Sequence, residues 1–330
     1  MSRKLRVACY GTNGHQIMGG LAAHPRAELV AVAEIPAAAV ERHLGAAAAA
    51  GVRVEPDLDA LIGARDVELI SLCSPRRDEQ FEHAVRCLRA GKHVLAEKPA
   101  VLTIEHLEKL HEVMRASKAE FRQMGATGEE HVLSAMRKLV DEGRLGQIVQ
   151  VYAMKSYPYH DGRPQDVGVD GGLIRQAGIH GVRFMQWATG LRAARACGLE
   201  TRVGNRKGGG LVMAASVALE FESGAVGMLV CNYLNPRGVG RWGNEQLRVH
   251  GTEGMVEAVD GFTRHCMVIG ENPPEPIPDV AERYPDFFDS YVEFLLDGTP
   301  MPYSLEDDLY ALRTVIRAQD AVDQGRIVDV

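Results

Sequence analysis

Gly91-Lys92-His93-Val94-Leu95-Ala96-Glu97-Lys98-Pro99 reads as a helix stop, a strand and a turn. Glycine closes a helix in a left-handed conformation without a side-chain clash. Residues 94–96 form a short apolar run suited to a buried central strand. Glu97 and Lys98 then stand at its carboxyl end, where ligands bind in open α/β sheets. Pro99 fixes the backbone that aims Lys98. Upstream, residues 5–10, 28–33, 53–54 and 67–73 are strand-like. Helical stretches separate them, one carrying a five-alanine run at 46–50 and another setting Phe81, Ala84, Val85 and Leu88 on one face. Downstream, Thr103 caps a helix with Ile104, Leu107, Leu110 and Met114 as its stripe, and residues 121–124 close the sheet. The alternation predicts an α/β fold, with an N-terminal Rossmann-like, doubly wound parallel sheet over residues 1–124.

The first strand runs into Gly11-Thr12-Asn13-Gly14-His15-Gln16 and a helical stretch through Ile17, Leu21 and Ala22. A glycine turn between strand and helix is the setting in which backbone N–H groups cradle a pyrophosphate. Against G-x-G-x-x-G, Asn13 and Gln16 replace the second and third glycines. Asparagine tolerates positive φ, so the turn is expected to survive with Asn13 in that conformation. An ordinary strand–helix turn is the other reading. Glu34 ends the second strand about 20 residues on, where a carboxylate accepts hydrogen bonds from the adenosine-ribose hydroxyls. It would repel a 2′-phosphate, and Ile35 and Pro36 add no cation, so NAD is expected over NADP. A solvated strand end is the alternative for Glu34. Ser74-Pro75 closes another strand on the cofactor side.

Beyond residue 124 the pattern changes. A helix is expected at 129–142, a long strand at 147–157, and another helix after Gly171-Gly172. Strand-like runs at 211–221, 225–233, 245–251, 254–258 and 262–268 are punctuated by Gly and Asn, as in antiparallel hairpins. Helices near 283–297 and 305–323 end the chain. Residues 125–330 therefore read as an α+β domain with an open, mostly antiparallel sheet. One face of such a sheet can stay uncovered, which invites a homodimer or homotetramer.

The 330 residues include 37 Lys and Arg against 44 Asp and Glu, a net charge of −7. General nucleic-acid binding needs a basic surface and is not expected. No apolar run approaches the ~20 residues of a membrane helix, and the start lacks a signal-peptide core, so a cytoplasmic protein is expected. The six cysteines are scattered, as suits reduced thiols. None of the twelve histidines has metal-ligand spacing with a suitable carboxylate, so no metal is expected.

Over its whole length the chain resembles the glucose–fructose oxidoreductase/inositol dehydrogenase (Gfo/Idh/MocA) family. Ala90 to Pro99 matches that family's A-G-K-H-V-x-x-E-K-P, and Gly171-Gly172 leading to Gly178-x-His180 is similar to its G-G-x-x-x-D-x-G-x-H. Asp286 to Arg326, with Phe294, Gly298, Pro300 and Ser304-Leu305-Glu306-Asp307, resembles the family's end. The resemblance implies hydride transfer between NAD(P) and a hydroxyl-bearing carbon of a sugar, inositol or cyclic alcohol. It implies roles for Lys98 and His180, and a Lys98–Pro99 peptide that is often cis. Two positions depart. Gln176 stands for the family's aspartate between the landmarks and Arg183 for the one after the histidine. Arg175-Gln176-x-Gly178-x-His180 is similar to a subgroup that includes phthalate cis-dihydrodiol dehydrogenases, in which Arg175 would meet a substrate carboxylate.

Hydride removal from an alcohol carbon needs a base for the hydroxyl proton, and the reverse needs an acid; a lysine serves both where desolvation brings its pKa towards working pH. Lys98 is the first candidate. His180 is the second, as acid/base, as substrate orienter, or as a plain structural histidine. Glu97 would hold either Lys98 or the nicotinamide ribose. Tyr157, Tyr159, His160 and Arg163 would line the substrate pocket, with Gln176, or form a polar rim. Asn235 to Gly243 reads as a lid or a subunit contact. A dehydrogenase is the leading expectation. An NAD-recycling lyase or glycosidase and a non-catalytic dinucleotide-dependent sensor are the alternatives.

Overall fold

The computed structural model describes residues 3–125, 130–280 and 284–330. The expected helix starts at 129 and 283 lie outside the described residues; the helices themselves run His131–Asp141 and Phe287–Asp297. The chain forms two compact units. The first comprises Met1–Gly125, Gly168–Asp170 and Asp286–Ser304, and the second the remainder.

The first unit is built on six parallel strands: β1 (Leu5–Tyr10), β2 (Ala27–Ala33), β3 (Arg53–Val54), β4 (Leu69–Leu72), β5 (His93–Ala96) and β6 (Phe121–Gln123). Their order is β3-β2-β1-β4-β5-β6. The direction of winding reverses between β1 and β4, so the crevice at their carboxyl ends is where a ligand fits. Strands β1, β4 and β5 are buried almost throughout, as strands covered on both faces must be. Gln80, Phe81, Ala84, Val85 and Leu88 form the buried face of the helix Gln80–Arg89.

Two expectations are corrected here. The alanine run does not continue one helix: Gly45, at φ +79°, separates Ala37–Leu44 from a short turn at Ala46–Ala49. Helix propensity cannot hold a run of exposed alanines in line across a glycine that leaves helical space. The second domain also does not take everything after residue 124. Phe288, Tyr291 and Val292 of the helix Phe287–Asp297 sit in one buried cluster with Leu5, Val7, Leu95 and Met124, and the Tyr291 hydroxyl donates to the Val94 carbonyl at 3.2 Å. A parallel sheet needs apolar cover on both faces, and this late helix supplies part of it.

The second unit carries β7 (Ile148–Ser156), β8 (Ala193–Thr201), β9 (Ala214–Phe221), β10 (Val226–Asn232), β11 (Asn244–Gly251), β12 (Gly254–Val259), β13 (Arg264–Ile269) and β14 (Val328–Asp329). They form one sheet in the order β13-β12-β11-β7-β10-β9-β8-β14, antiparallel except for the β7–β10 pair. The helices Ile179–Thr189 and Leu305–Gln324 lie against one face. Alternate residues of the other face, among them Tyr152, Met228 and Leu199, are half-buried or exposed. Among the described residues, no helix is long and apolar enough to cross a membrane, and no three or more metal-ligating side chains cluster.

Candidate active site

The glycine turn of the first unit leaves no room for side chains at two points. Gly11 has φ +71°, and a Cβ there would lie 2.2 Å from the Cys73 carbonyl oxygen. Gly14 has φ +132°, and its Cβ would lie 2.5 Å from the Glu97 side chain. Asn13 is not at positive φ, contrary to expectation; the glycines carry the unusual angles. Asn13 works through its amide, which donates to the carbonyls of Pro75 (3.1 Å) and Val169 (2.6 Å). Gln16 also turns inward, donating to the Gly11 carbonyl at 3.0 Å and accepting from the Ser71 hydroxyl at 2.6 Å. Both replacements thus brace the turn from beneath. Thr12, Gly14 and His15 remain exposed on it. Such a cradle, open to a ligand and closed to side chains, fits a dinucleotide pyrophosphate.

Glu34 is exposed at the end of β2 with φ +54°, a conformation uncommon outside glycine and often found where a site requires it. Ser74 is fully buried, and its hydroxyl pairs with His83 Nδ1 at 2.9 Å, while Pro75 is exposed beside the glycine turn.

Glu97 and Lys98 are 2% and 3% exposed, so neither is a solvated strand end. The Lys98–Pro99 peptide is cis. One Glu97 oxygen accepts the His15 backbone N–H at 2.7 Å, both lie 3.1 Å from His15 Nδ1, and Lys98 Nζ is 3.8 Å away. Burial alone would raise the Glu97 pKa; the His15 hydrogen bond and the charges of Lys98, His15 and Arg77 outweigh it and bring the carboxyl down to about 2. Glu97 therefore ties the glycine turn to Lys98.

Three residues that sequence reasoning missed hold the backbone here. Arg77 donates to the Asn13 carbonyl (2.7 Å) and to Gln80 Oε1 (2.6 Å); Gln80 donates to the Glu97 carbonyl (2.7 Å); Gln123 accepts the Ala100 N–H (2.6 Å). One signal existed. Gln80 falls in phase with Ala84 and Leu88 on an apolar stripe, a position where a polar side chain must find a partner.

In the second unit, Gln176 is half-buried on a π-helical turn, Ile174–Gly178, and His180 is half-buried in the first turn of the helix Ile179–Thr189 that follows it. Such widened turns recur at functional sites because they redirect side chains. Arg175, on the same turn, donates to the Gly171 carbonyl at 3.2 Å. Burial pulls its pKa down, and the charges of Asp323, Asp320 and Glu200 offset only part of that. Arg183 is buried against Asp308 in an ion pair and serves the core. Arg163 is also buried. Its guanidinium lies 3.5 Å from the Tyr233 ring centroid and 5.8 Å from that of Tyr157, and it donates to the Pro158 carbonyl at 2.9 Å. Tyr157 is buried too, whereas Tyr159 and His160 line an open cleft.

A family model described as the oxidoreductase family, NAD-binding Rossmann fold, matches residues 5–123, and one described as the GFO/IDH/MocA C-terminal domain matches residues 133–257. The chain belongs to the Gfo/Idh/MocA oxidoreductase family. It is 26% identical over 327 residues to an inositol 2-dehydrogenase of Rhizobium meliloti, covering 92% of each chain. Two solved structures share the fold over nearly full length. An aldose-aldose oxidoreductase from Caulobacter crescentus, complexed with glycerol, has a TM-score of 0.79 at 23% identity, covering 99% of this chain and 100% of that one. GenD2 from gentamicin A biosynthesis, in complex with NAD, has a TM-score of 0.79 at 22% identity, covering 100% and 97%.

Proposed function

We propose that this oxidoreductase is an NAD-dependent dehydrogenase of a hydroxyl-bearing carbon in a sugar, inositol or cyclic diol, with Lys98 as its acid/base. The observation that carries this reading is the buried Lys98 side chain, its Nζ 3.8 Å from a Glu97 carboxylate that also grips the glycine turn. The dinucleotide, when bound, accepts or returns the hydride. Gly11, Thr12, Asn13, Gly14, His15 and Gln16 form its pyrophosphate turn; Glu34 receives the adenosine ribose; Ser74 and Pro75 flank it. Lys98 Nζ takes the hydroxyl proton as the neutral amine in oxidation and gives it back as the ammonium in reduction. His180 and Gln176 hydrogen-bond the substrate, Gln176 without taking a proton at neutral pH. The inositol 2-dehydrogenase relative supports the substrate class.

Self-association through the open face of the second sheet and a reducing, cytoplasmic location belong to the same reading; the six cysteines are free. Incubation with NAD and a panel of polyols, inositols and cyclic diols should yield NADH. Lys98→Met should lower kcat at least about 100-fold, the lower end of what acid/base catalysis contributes. Near-normal turnover would remove Lys98 from the mechanism. Bond cleavage without net NADH would favour a lyase instead.

A further inference from the structure

The second unit contains a cleft of about 710 Å³, within the range of small-molecule sites, whose lining includes Tyr159, His160, Arg206, Asn235 and Arg237. Its charge is one-sided. Arg206 and Arg237 are both exposed, and among the described residues neither forms an ion pair; Arg206 lies only over the Tyr159 ring, at 5.1 Å. Asp161 is the one carboxylate in the lining. The excess positive field reaches inward: burial, with the charges of Arg163 and Arg237, lowers the His160 pKa and favours a neutral imidazole.

A second feature is independent of charge. Asn235 is 4% exposed, and its amide nitrogen donates to the carbonyls of Arg241 (3.0 Å) and Trp242 (3.2 Å). Those bonds fix which end of the amide is left over. The Oδ1 atom is buried and, among the described residues, accepts no hydrogen bond. A buried acceptor without a donor costs about 1–3 kcal/mol, so a wall that keeps one is suited to a ligand that brings an O–H.

We propose that this cleft binds a polyhydroxylated anion, its carboxylate or phosphate against Arg206 and Arg237 and one hydroxyl on Asn235 Oδ1. Guanidinium groups match both anions in fork geometry, and a neutral polyol leaves them with nothing to hold. The inference narrows the substrate class and, in that respect, rests on the dehydrogenase reading. It assigns the anion to Arg206 and Arg237, which line the cleft, whereas Arg175 does not and donates to the Gly171 carbonyl.

The test is calorimetry on the full chain, with and without NAD, using three ligands that differ at one carbon: D-glucose, D-glucuronate and D-glucose 6-phosphate. At least one anion should bind about ten-fold or more tightly than glucose, as charge-assisted hydrogen bonds require. Which anion wins distinguishes carboxylate from phosphate. The Arg206→Gln/Arg237→Gln double variant should bring that anion down to the affinity of glucose, and Arg206→Glu should do so as well. The proposal is overturned if no anion binds, if glucose binds as tightly as both anions, or if the preference survives the double variant. NADH formation is scored separately. Arginine-dependent anion binding without NADH upholds the site and counts against the dehydrogenase. NADH from neutral polyols with no anion preference upholds the dehydrogenase and discards the site.

Discussion

Glu97 is the residue on which the first unit's chemistry turns. A buried carboxylate is costly unless its oxygens are occupied, and here His15 and Lys98 occupy them. Its pKa falls from an ordinary 4.5 to about 2, so its contribution to stability is full above pH ~4.5 and is lost as pH falls towards 2. The shift corresponds to on the order of 3 kcal/mol. Glu97→Gln should therefore lose stability at pH 7 and show a flatter acid limb in urea unfolding measured from pH 6 to 2; an unchanged acid limb would mean that other carboxylates set it. Glu34 carries a different constraint. Its left-handed backbone costs about 1 kcal/mol, which glycine would not incur. Glu34→Gly should hold or gain stability while raising affinity for NADP relative to NAD, read by fluorescence titration. Equal NADP and NAD binding by the unaltered protein would show that Glu34 does not select the cofactor.

At the scale of the element, the helix Ile179–Thr189 is placed by glycine. A Cβ on Gly181 would come within 2.3 Å of Leu229 Cδ1, and Leu229 is fully buried on β10. Helix propensity alone says that Gly181→Ala should stabilise by about 1 kcal/mol. The packing says the reverse, because overfilling a closed contact costs about 1–3 kcal/mol. The expected outcome is a lower thermal midpoint and, since His180 precedes this glycine, a higher KM. The π-helical turn just before it was not legible from residue spacing. Helical periodicity marks an apolar stripe, whereas one widened turn shifts that stripe by a single residue and leaves no trace in the pattern.

For the whole molecule, the uncovered sheet face makes the strongest demand. Registered neighbours Cys197, Ala218, Met228 and Tyr152 form a cross-strand row, with Leu199 and Val230 in the next. Met228 is 37% and Leu199 80% exposed. Exposed apolar residues on an uncovered sheet face are where the proposed self-association would run, although Ser216 and Arg248 share these rows. Met228→Glu should shift sedimentation towards smaller species at micromolar concentration; an unaltered protein that sediments as a monomer would refute the interface.

Local residue order was enough for the strand–glycine–helix opening, the Glu97-Lys98-Pro99 turn, the Thr103 cap and the two sheets, because each is written in short-range pattern: period, punctuation and polar residues at strand ends. Thr103 does accept the His106 N–H, and six expected strands of the second sheet fall within a few residues of where they stand. Distance along the chain hid the rest. The helix Phe287–Asp297 joins the core of the first unit across nearly 200 residues, Arg183 finds Asp308, and Arg77 and Gln80 connect two turns that lie far apart in sequence. Such pairings depend on which surfaces meet when the chain closes on itself, and a buried polar group reveals its partner only then.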